Sequence, residues 1–600
     1  MADLETHPHD VLIIGAGGAG LRAAIEAASA GASVGLVCKS LLGKAHTVMA
    51  EGGIAAALAH VAERDSWQIH FRDTMVGGKL LNNPRMAELH AKEAPARVRE
   101  LERWGAVFDR TRDGRILQRP FGGHTHPRLA HVGDRTGLEM IRTLQDRTVA
   151  SGVTVYMECT VTRLLTAGDR VTGAIGYWRQ DGQPVVFPAK ATVLATGGIG
   201  RIYEITSNSW EYSGDGQALA YEAGAELIDM EFVQFHPTGM VWPPGVRGLL
   251  VTEAVRGEGG ILRNSLGERF MWKYLPEDRR HEYAATDEEA TEWVEALTAG
   301  NETQARRPPE LSTRDNVARA IYTEVREGRG SPHGGVFLDI SYLPPERVRR
   351  KLPSMYEQFK ELADVDITAG PMEIGPTMHY MMGGIRVEAE TGATTRKGLY
   401  AAGEVAGGMH GANRLGGNSL SDLLVFGQRA GATAATEAAE QADPPKVSSA
   451  LVQEAVAELD APFERSNGED PYILHEHLRA TMQSLVGIFR VESDLDDALA
   501  QIQELQSRWQ NISADGPRSF NPGADLVFEL RNMLTVAEAV TRSAQTRTES
   551  RGAHSRIDHP ETDKAWEHLN VVVRPDGEEM HVETSPTVAV PDDLQSLITA

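Results

Sequence analysis

The chain has 600 residues, with 84 Asp and Glu against 60 Lys and Arg and a formal net charge of −24. That length spans several domains and can bury a large core unaided, while so negative a surface argues against nucleic acid or direct membrane binding. Two cysteines, Cys38 and Cys159, are too few for a disulfide framework, a four-cysteine zinc site or an iron–sulfur cluster, so the chain suits a reducing compartment and any cluster-borne electron transfer belongs to another polypeptide.

Residues 1–10 are polar and acidic, without the basic and apolar regions of an export signal. No apolar run approaches the roughly 20 residues that a membrane helix needs. Residues 11–14 read as a buried parallel strand, followed at once by Gly15, Ala16, Gly17, Gly18, Ala19 and Gly20. An alanine-rich helix over 21–30 ends at Gly31, and residues 33–37 form a second strand. In this strand–turn–helix–strand order a G-x-G-x-x-G run points to a dinucleotide. The glycines permit the sharp turn and close approach of backbone to pyrophosphate, and the helix N-terminus offers N–H groups and its positive dipole end. The acidic ribose ligand expected about 20 residues on is missing, since the second strand ends Cys38-Lys39-Ser40. That leaves two readings: NADP, with Lys39 on a 2′-phosphate, or FAD, with the ribose held by other groups.

Residues 191–198 and 397–404 read as strands returning to the same sheet, each ending in a glycine turn. Glu404, at the tip of the second, is a candidate partner for a ribitol or ribose hydroxyl. Between them, from about 235 to 370, Trp, Pro and charge become frequent, the pattern of one domain inserted into another. Within it the polar stretch 276–309 reads as an exposed excursion. From about 444 to 548 the pattern is helical, with helices expected over 450–459, 473–489 and 495–509, the last behind a Ser493/Asp496 capping box. Strands at 569–573 and 580–584 flank Arg574-Pro-Asp-Gly577, a hairpin signature.

Six further motifs carry the chemistry. They are Gly43-Lys-Ala-His-Thr-Val-Met-Ala-Glu-Gly-Gly-Ile54, Gln234-Phe-His-Pro-Thr-Gly239, Val251-Thr-Glu-Ala-Val-Arg-Gly-Glu-Gly-Gly260, Arg314-Asp-Asn-Val-Ala-Arg319, His379-Tyr-Met-Met-Gly-Gly384 and His410-Gly-Ala-Asn-Arg-Leu-Gly-Gly-Asn-Ser-Leu420. With Arg547-Thr-Glu-Ser-Arg-Gly-Ala-His554, they closely resemble the flavoprotein subunit of succinate dehydrogenase and fumarate reductase. The resemblance runs from about residue 10 to 556.

It implies an α/β chain in which a Rossmann-type FAD-binding domain (1–234 and 372–436) is interrupted by an α+β capping domain (235–371). A helical domain (437–548) and a small C-terminal domain (549–600) follow. It implies FAD linked covalently through His46, which suits succinate, a poor reductant, because alkylation at the 8α position raises the flavin potential. Lys39, Ser40, Thr47, Glu51, Gly52, Gly53, Val161, Asp215, Glu404, Ser419 and Leu420 match family positions around the cofactor, beside the Gly15–Gly20 run.

By the same resemblance the substrate is a four-carbon dicarboxylate, held by His236, Thr252, His379 and Arg414, with Phe121 walling the cavity. Charge-assisted donors, Arg above all, suit two carboxylates. The proton step falls to Arg314, relayed by Glu253 and Arg256. Arginine holds its proton far above neutral pH, so this demands assistance from its neighbours. His124, His126 and His131 show no trustworthy metal-ligand spacing and read as solvated loop histidines, with no metal expected.

Glu51 departs from the glutamine of mitochondrial-type succinate dehydrogenases and matches quinol:fumarate reductases. A carboxylate beside the flavin disfavours its anionic reduced form and leaves direction open, with succinate oxidation favoured and fumarate reduction accessible. The competing readings are a soluble L-aspartate oxidase, a family without the flavin-linking histidine, and a non-catalytic FAD-binding scaffold. The implied partners are an iron–sulfur subunit, then a membrane anchor and quinone reached through it. The implied location is peripheral, on the cytoplasmic face of the inner (plasma) membrane.

Overall fold

The computed structural model describes residues 4–298, 303–443, 446–577 and 579–599. Parts of two expectations, residues 299–302 of the polar excursion and 444–445 at the start of the helical region, lie outside the described residues, as does 578 in the hairpin turn.

The strand His9–Ile14 lies parallel between Val34–Val37 and Pro184–Leu194, and Thr154–Tyr156 extends the sheet beyond Val34–Val37. Leu399–Ala401 joins the other edge of Pro184–Leu194, so both glycine-ended segments do return to this sheet. Val11, Leu12 and Ile13 are fully buried, as a parallel strand covered on both faces requires. One cover is the pair of helices Gly18–Ser29 and Asn418–Ala439. They cross closely because Gly427 and Gly431 leave no room for a side chain: a Cβ would stand 2.7 Å from Ala19 O and 2.3 Å from Ala23 O. Pro184–Leu194 also continues antiparallel into Arg170–Trp178 and Cys159–Ala167.

A second, antiparallel sheet is ordered Val233–Met240, Met372–Met381, Val336–Asp339, Ile261–Arg263. It has its own core, including Leu262, Val317, Ile321, Leu338 and Ile374, packed with the helix Arg314–Glu324. The strands leading out of and back into the intervening segment pair with each other. The polar stretch within it is not the open loop that its composition suggests. It carries the helix Asp287–Thr298 and buries Tyr283, Ala284, Ala290 and Val294, apolar side chains too widely spaced to stand out in the sequence.

Four helices follow: Ser449–Glu464, Pro471–Leu485, Glu492–Trp509 and Pro522–Thr546. The expected Ser493/Asp496 capping box is not made. The helix starts at Glu492, whose N–H donates to Asp558 Oδ2 at 2.9 Å, so a carboxylate from the C-terminal segment supplies the cap. The hairpin Leu569–Asp576 and Glu579–Pro586 pairs through its first strand with Leu227–Ile228. Among the described residues no helix is long and apolar enough to cross a membrane.

Candidate active site

The parallel sheet and the glycine turn open onto a cleft. Its walls include Gly15, Ala16, Gly17, Gly18, Ala19, Lys39, Ser40, His46, Thr47, Val161, Asp215, Glu404, Ser419 and Leu420, so most of the expected cofactor positions converge. The helix Gly18–Ser29 begins in this cleft with no side chain on its N-cap residue, Gly17, and the Gly18 N–H meets Thr47 Oγ1 at 3.3 Å. A glycine-rich helix start facing a cleft fits a pyrophosphate. Gly20 stands behind it and serves packing: a Cβ there would meet Gly15 O at 1.8 Å. Glu51, Gly52 and Gly53 also lie off the cleft wall. Gly52 packs on Phe121 and Gly53, with φ +126°, on Ala130 O.

Lys39 decides between the two nucleotides. Its ammonium donates to Ser213 Oγ at 2.7 Å, Asp215 Oδ2 at 2.8 Å and Glu529 Oε1 at 2.9 Å, which uses all three protons. Glu211 accepts from the Ser40 hydroxyl next door. A 2′-phosphate would meet three carboxylates and no spare donor, so the NADP reading is set aside.

His46 opens a short 3-10 turn, His46–Met49. Its Nδ1 accepts from the Ser209 N–H at 3.3 Å, its Nε2 lies 3.2 Å from Asn208 Nδ2, and Tyr212 meets the ring edge-on at 4.6 Å between centroids. Burial, helped by Arg414, pushes its pKa down to about 4, so the imidazole is neutral. Glu404 accepts from the Met381 N–H at 3.0 Å, and burial pushes it up to about 8. Glu51 is also raised well above the carboxylate range, first by burial and then by Asp134. Burial thus works against the negative charge that its sequence position suggested.

Beyond the cleft lies a buried cationic cluster. Glu253 starts the short helix Glu253–Gly257, with Thr252 as its cap, and Arg256 follows one turn on. Arg314 comes from the start of another helix. Glu253 Oε2 accepts from Arg314 Nε at 2.9 Å and lies 3.6 Å from Arg256 Nη2, while Oε1 accepts from the Gly122 N–H at 2.8 Å. Burial opposes ionisation of Glu253, but Arg256, Arg314 and this N–H outweigh it and hold the carboxylate below its usual value. A Cβ at Gly122 would stand 2.9 Å from Glu253 Oε1 and push that carboxylate aside.

Arg414 donates Nη1 to Ser419 Oγ at 2.8 Å and stacks 4.0 Å over the Tyr380 ring. Its Nε and Nη2 are buried without a hydrogen-bond partner, as are Nε and Nη2 of Arg256. Buried guanidinium donors left open are what an anionic ligand satisfies. His236 and His379 stand 5.0 Å apart, ring to ring, and burial holds both well below the usual histidine range. Phe121 packs against Gly52 and Gly416 at the edge of this cluster.

Several contacts escaped the sequence reading. Ser207 bonds His379 Nδ1 at 2.9 Å, and Gln234 accepts from Arg314 while donating to Arg414 O. Gln234 opens one of the quoted motifs and was within reach. The segment Ser207-Asn-Ser-Trp-Glu-Tyr212 has no glycine pattern and no run of charge, and gave no signal. The reading of His124 and His131 as solvated is wrong. Both are buried, His124 on Gly416 O at 2.7 Å and His131 2.9 Å from Asp109, because the loop folds under the cluster. His126 is half-buried.

The family model for an FAD binding domain matches residues 10–420, and that for the fumarate reductase flavoprotein C-terminus matches 475–592. A fumarate reductase (CoM/CoB) subunit of Methanothermobacter marburgensis is 46% identical over 563 residues, covering 94% of this chain and 96% of that protein. The solved Mycobacterium smegmatis Sdh1 in complex with UQ1 is 54% identical with a TM-score of 0.85, covering 98% of this chain and 95% of that one. A variant of E. coli quinol fumarate reductase FrdA is 34% identical with a TM-score of 0.88, covering 98% of both chains.

Proposed function

The chain belongs to the flavoprotein-subunit family of succinate dehydrogenases and fumarate reductases, which are FAD-dependent oxidoreductases, and we propose that it interconverts succinate and fumarate on FAD attached covalently through His46, with succinate oxidation as the working direction. When bound, the flavin supplies the hydride acceptor. The cationic cluster carries the reading: Arg414 and Arg256 keep buried donors open while Glu253 joins Arg256 to Arg314.

In this reading Arg414, His379, His236 and Thr252 hold the two carboxylates, and Phe121 excludes water from one side. Arg314 yields one of its own protons to Glu253 as it takes that of the second methylene, and Glu253 is ionised again as it hands its proton to Arg256, which gives one up in turn. The proton step is feasible for arginine because the bridging carboxylate sits within hydrogen-bond reach of Arg314 and accepts as it releases. His46, neutral and held between Ser209 and Tyr212, is suited to forming a bond to the flavin. Its presence, with the full cluster, favours this reading over an aspartate oxidase or a scaffold.

The two cysteines, both buried, are too few to hold an iron–sulfur cluster. Electrons therefore pass to an iron–sulfur subunit, then through a membrane anchor to quinone, with this chain peripheral on the cytoplasmic face. The test is a denaturing gel viewed for acid-stable flavin fluorescence, with succinate-dependent dye reduction and malonate competition on the same preparation. A fluorescent band that disappears in His46→Ser, and dye reduction blocked by malonate, are expected. A wild-type chain with neither would end the proposal.

A further inference from the structure

We propose that the turn Arg551-Gly-Ala-His554 is a strut that fixes the spacing between Arg314 and Arg414, and that Arg319 is the positioning residue engaging it. The inference rests on the reading above, in which those two guanidiniums face one substrate. They come from different parts of the fold. Arg314 begins a helix that packs on the antiparallel sheet, whereas Arg414 sits in the loop before Asn418–Ala439. Inside the site Gln234 spans them, accepting from Arg314 Nη1 at 3.3 Å and donating to Arg414 O at 2.8 Å; the turn ties the same helix and loop together a second time.

The turn touches both sides through a single peptide unit, the one joining Gly552 to Ala553. Arg319 lies five residues along the helix from Arg314, about 7.5 Å at the usual rise. It donates Nη1 to Gly552 O at 2.7 Å and Nη2 to Asp315 Oδ2 at 3.1 Å, which aims the guanidinium. The next N–H in the turn, that of Ala553, donates to Ala412 O at 2.9 Å, two residues before Arg414. Gly552 adopts φ +57°, and a Cβ there would stand 2.3 Å from Ala412 O, so only glycine lets the turn lie flat on that loop. On its other side the loop is pinned by the Ala412 N–H donating to Gly78 O at 2.9 Å.

The turn itself is rigid. His554 donates Nε2–H to Arg547 O at 2.9 Å and accepts at Nδ1 from Arg490 Nη1 at 2.8 Å. Arg547, fully buried, pairs with Glu231 at 2.6 Å and Glu549 at 3.1 Å. Arg551 forms a bidentate pair with Glu549 at 2.7 and 2.9 Å. One rigid body thus references a helix on one side and a loop on the other. An ångström of drift between two catalytic groups costs about 100-fold in rate.

The experiment compares wild type, Arg319→Gln and Arg319→Lys as flavinylated proteins. It measures kcat/KM for succinate, malonate binding by flavin absorbance, melting temperature, and hydrogen exchange over residues 314–324. Arg319 is half-buried at the surface, so both variants should fold. Arg319→Gln should lose about 100-fold in kcat/KM, raise exchange in the helix and leave the melting temperature within a few degrees. Arg319→Lys, which keeps a charged donor for Gly552 O, should recover most of the loss. Wild-type kcat/KM and exchange in Arg319→Gln, with malonate bound normally, would overturn the strut while leaving the functional reading intact. A wild type that neither oxidises succinate nor binds malonate would remove the reading and the strut with it.

Discussion

Glu253 shows how burial and charge divide the work at a single residue. It is fully enclosed, yet two arginines keep it ionised, and its removal would leave both of them without a buried counter-charge. Glu253→Gln should therefore destabilise the fold by about 3–5 kcal/mol as well as stop turnover, read as a drop in melting temperature. Arg314→Lys is the more selective change. It keeps the charge facing the pocket but loses the planar fork that meets Glu253 and Gln234 together. Malonate affinity should stay within about tenfold of wild type, while kcat falls by roughly 10²–10⁴-fold, the usual worth of a general acid–base group. Equal losses in binding and turnover would make Arg314 a clamp and not a proton carrier. Lys39 illustrates what a sequence leaves open at this scale. The residue type alone permits a phosphate contact, and only the arrival of Asp215 and Glu529 from distant segments shows that its charge is already spent.

At the scale of the element, the glycine turn was readable because its three constraints are local: strand before, helix after, and glycines at fixed offsets. Its glycines nonetheless differ in role. At Gly20 a Cβ would collide with Gly15 O at 1.8 Å, whereas at Gly17 the nearest neighbour is Thr47 Oγ1 at 3.5 Å and the backbone is extended. Gly20→Ala should thus lower folded yield and melting temperature. Gly17→Ala should melt like wild type but bind FAD more weakly, measured as flavin content after purification. A stable, flavin-replete Gly17→Ala would show that the cofactor does not approach this backbone. The expected Ser493/Asp496 box failed for the opposite reason, since the true cap, Asp558, is remote in sequence and invisible to any local pattern. The helix in the polar excursion shows no pattern for a different reason, its buried apolar positions Ala290 and Val294 being diluted by charge.

For the molecule as a whole, the class of fold and the convergence of motifs were legible, because each motif carries its own geometry. The histidines were not, since burial depends on packing from several directions at once. His90 is held near about 3 and His124 and His475 near about 4, each chiefly by burial, so the folded protein keeps them neutral where the unfolded chain binds protons. For such a group the stability is complete above pH 6.5 and is lost as pH falls from there towards 4, at up to about 1.4 kcal/mol per unit. Carboxyls pull the other way. Glu404, raised to about 8 by burial, favours the fold at low pH and loses that contribution as pH rises from 4.5. A bare melting curve against pH mixes the two. A difference between variants isolates one group, and His475 is suited to it, standing on the Pro471–Leu485 helix with its Nε2 3.2 Å from Arg201 O. His475→Gln should equal or fall below wild type in melting temperature at pH 7.5. Between pH 6.5 and 4.5 the wild type should decline faster, so the gap closes and then reverses sign. A gap that stays constant across that range would mean that His475 is protonated in the folded protein.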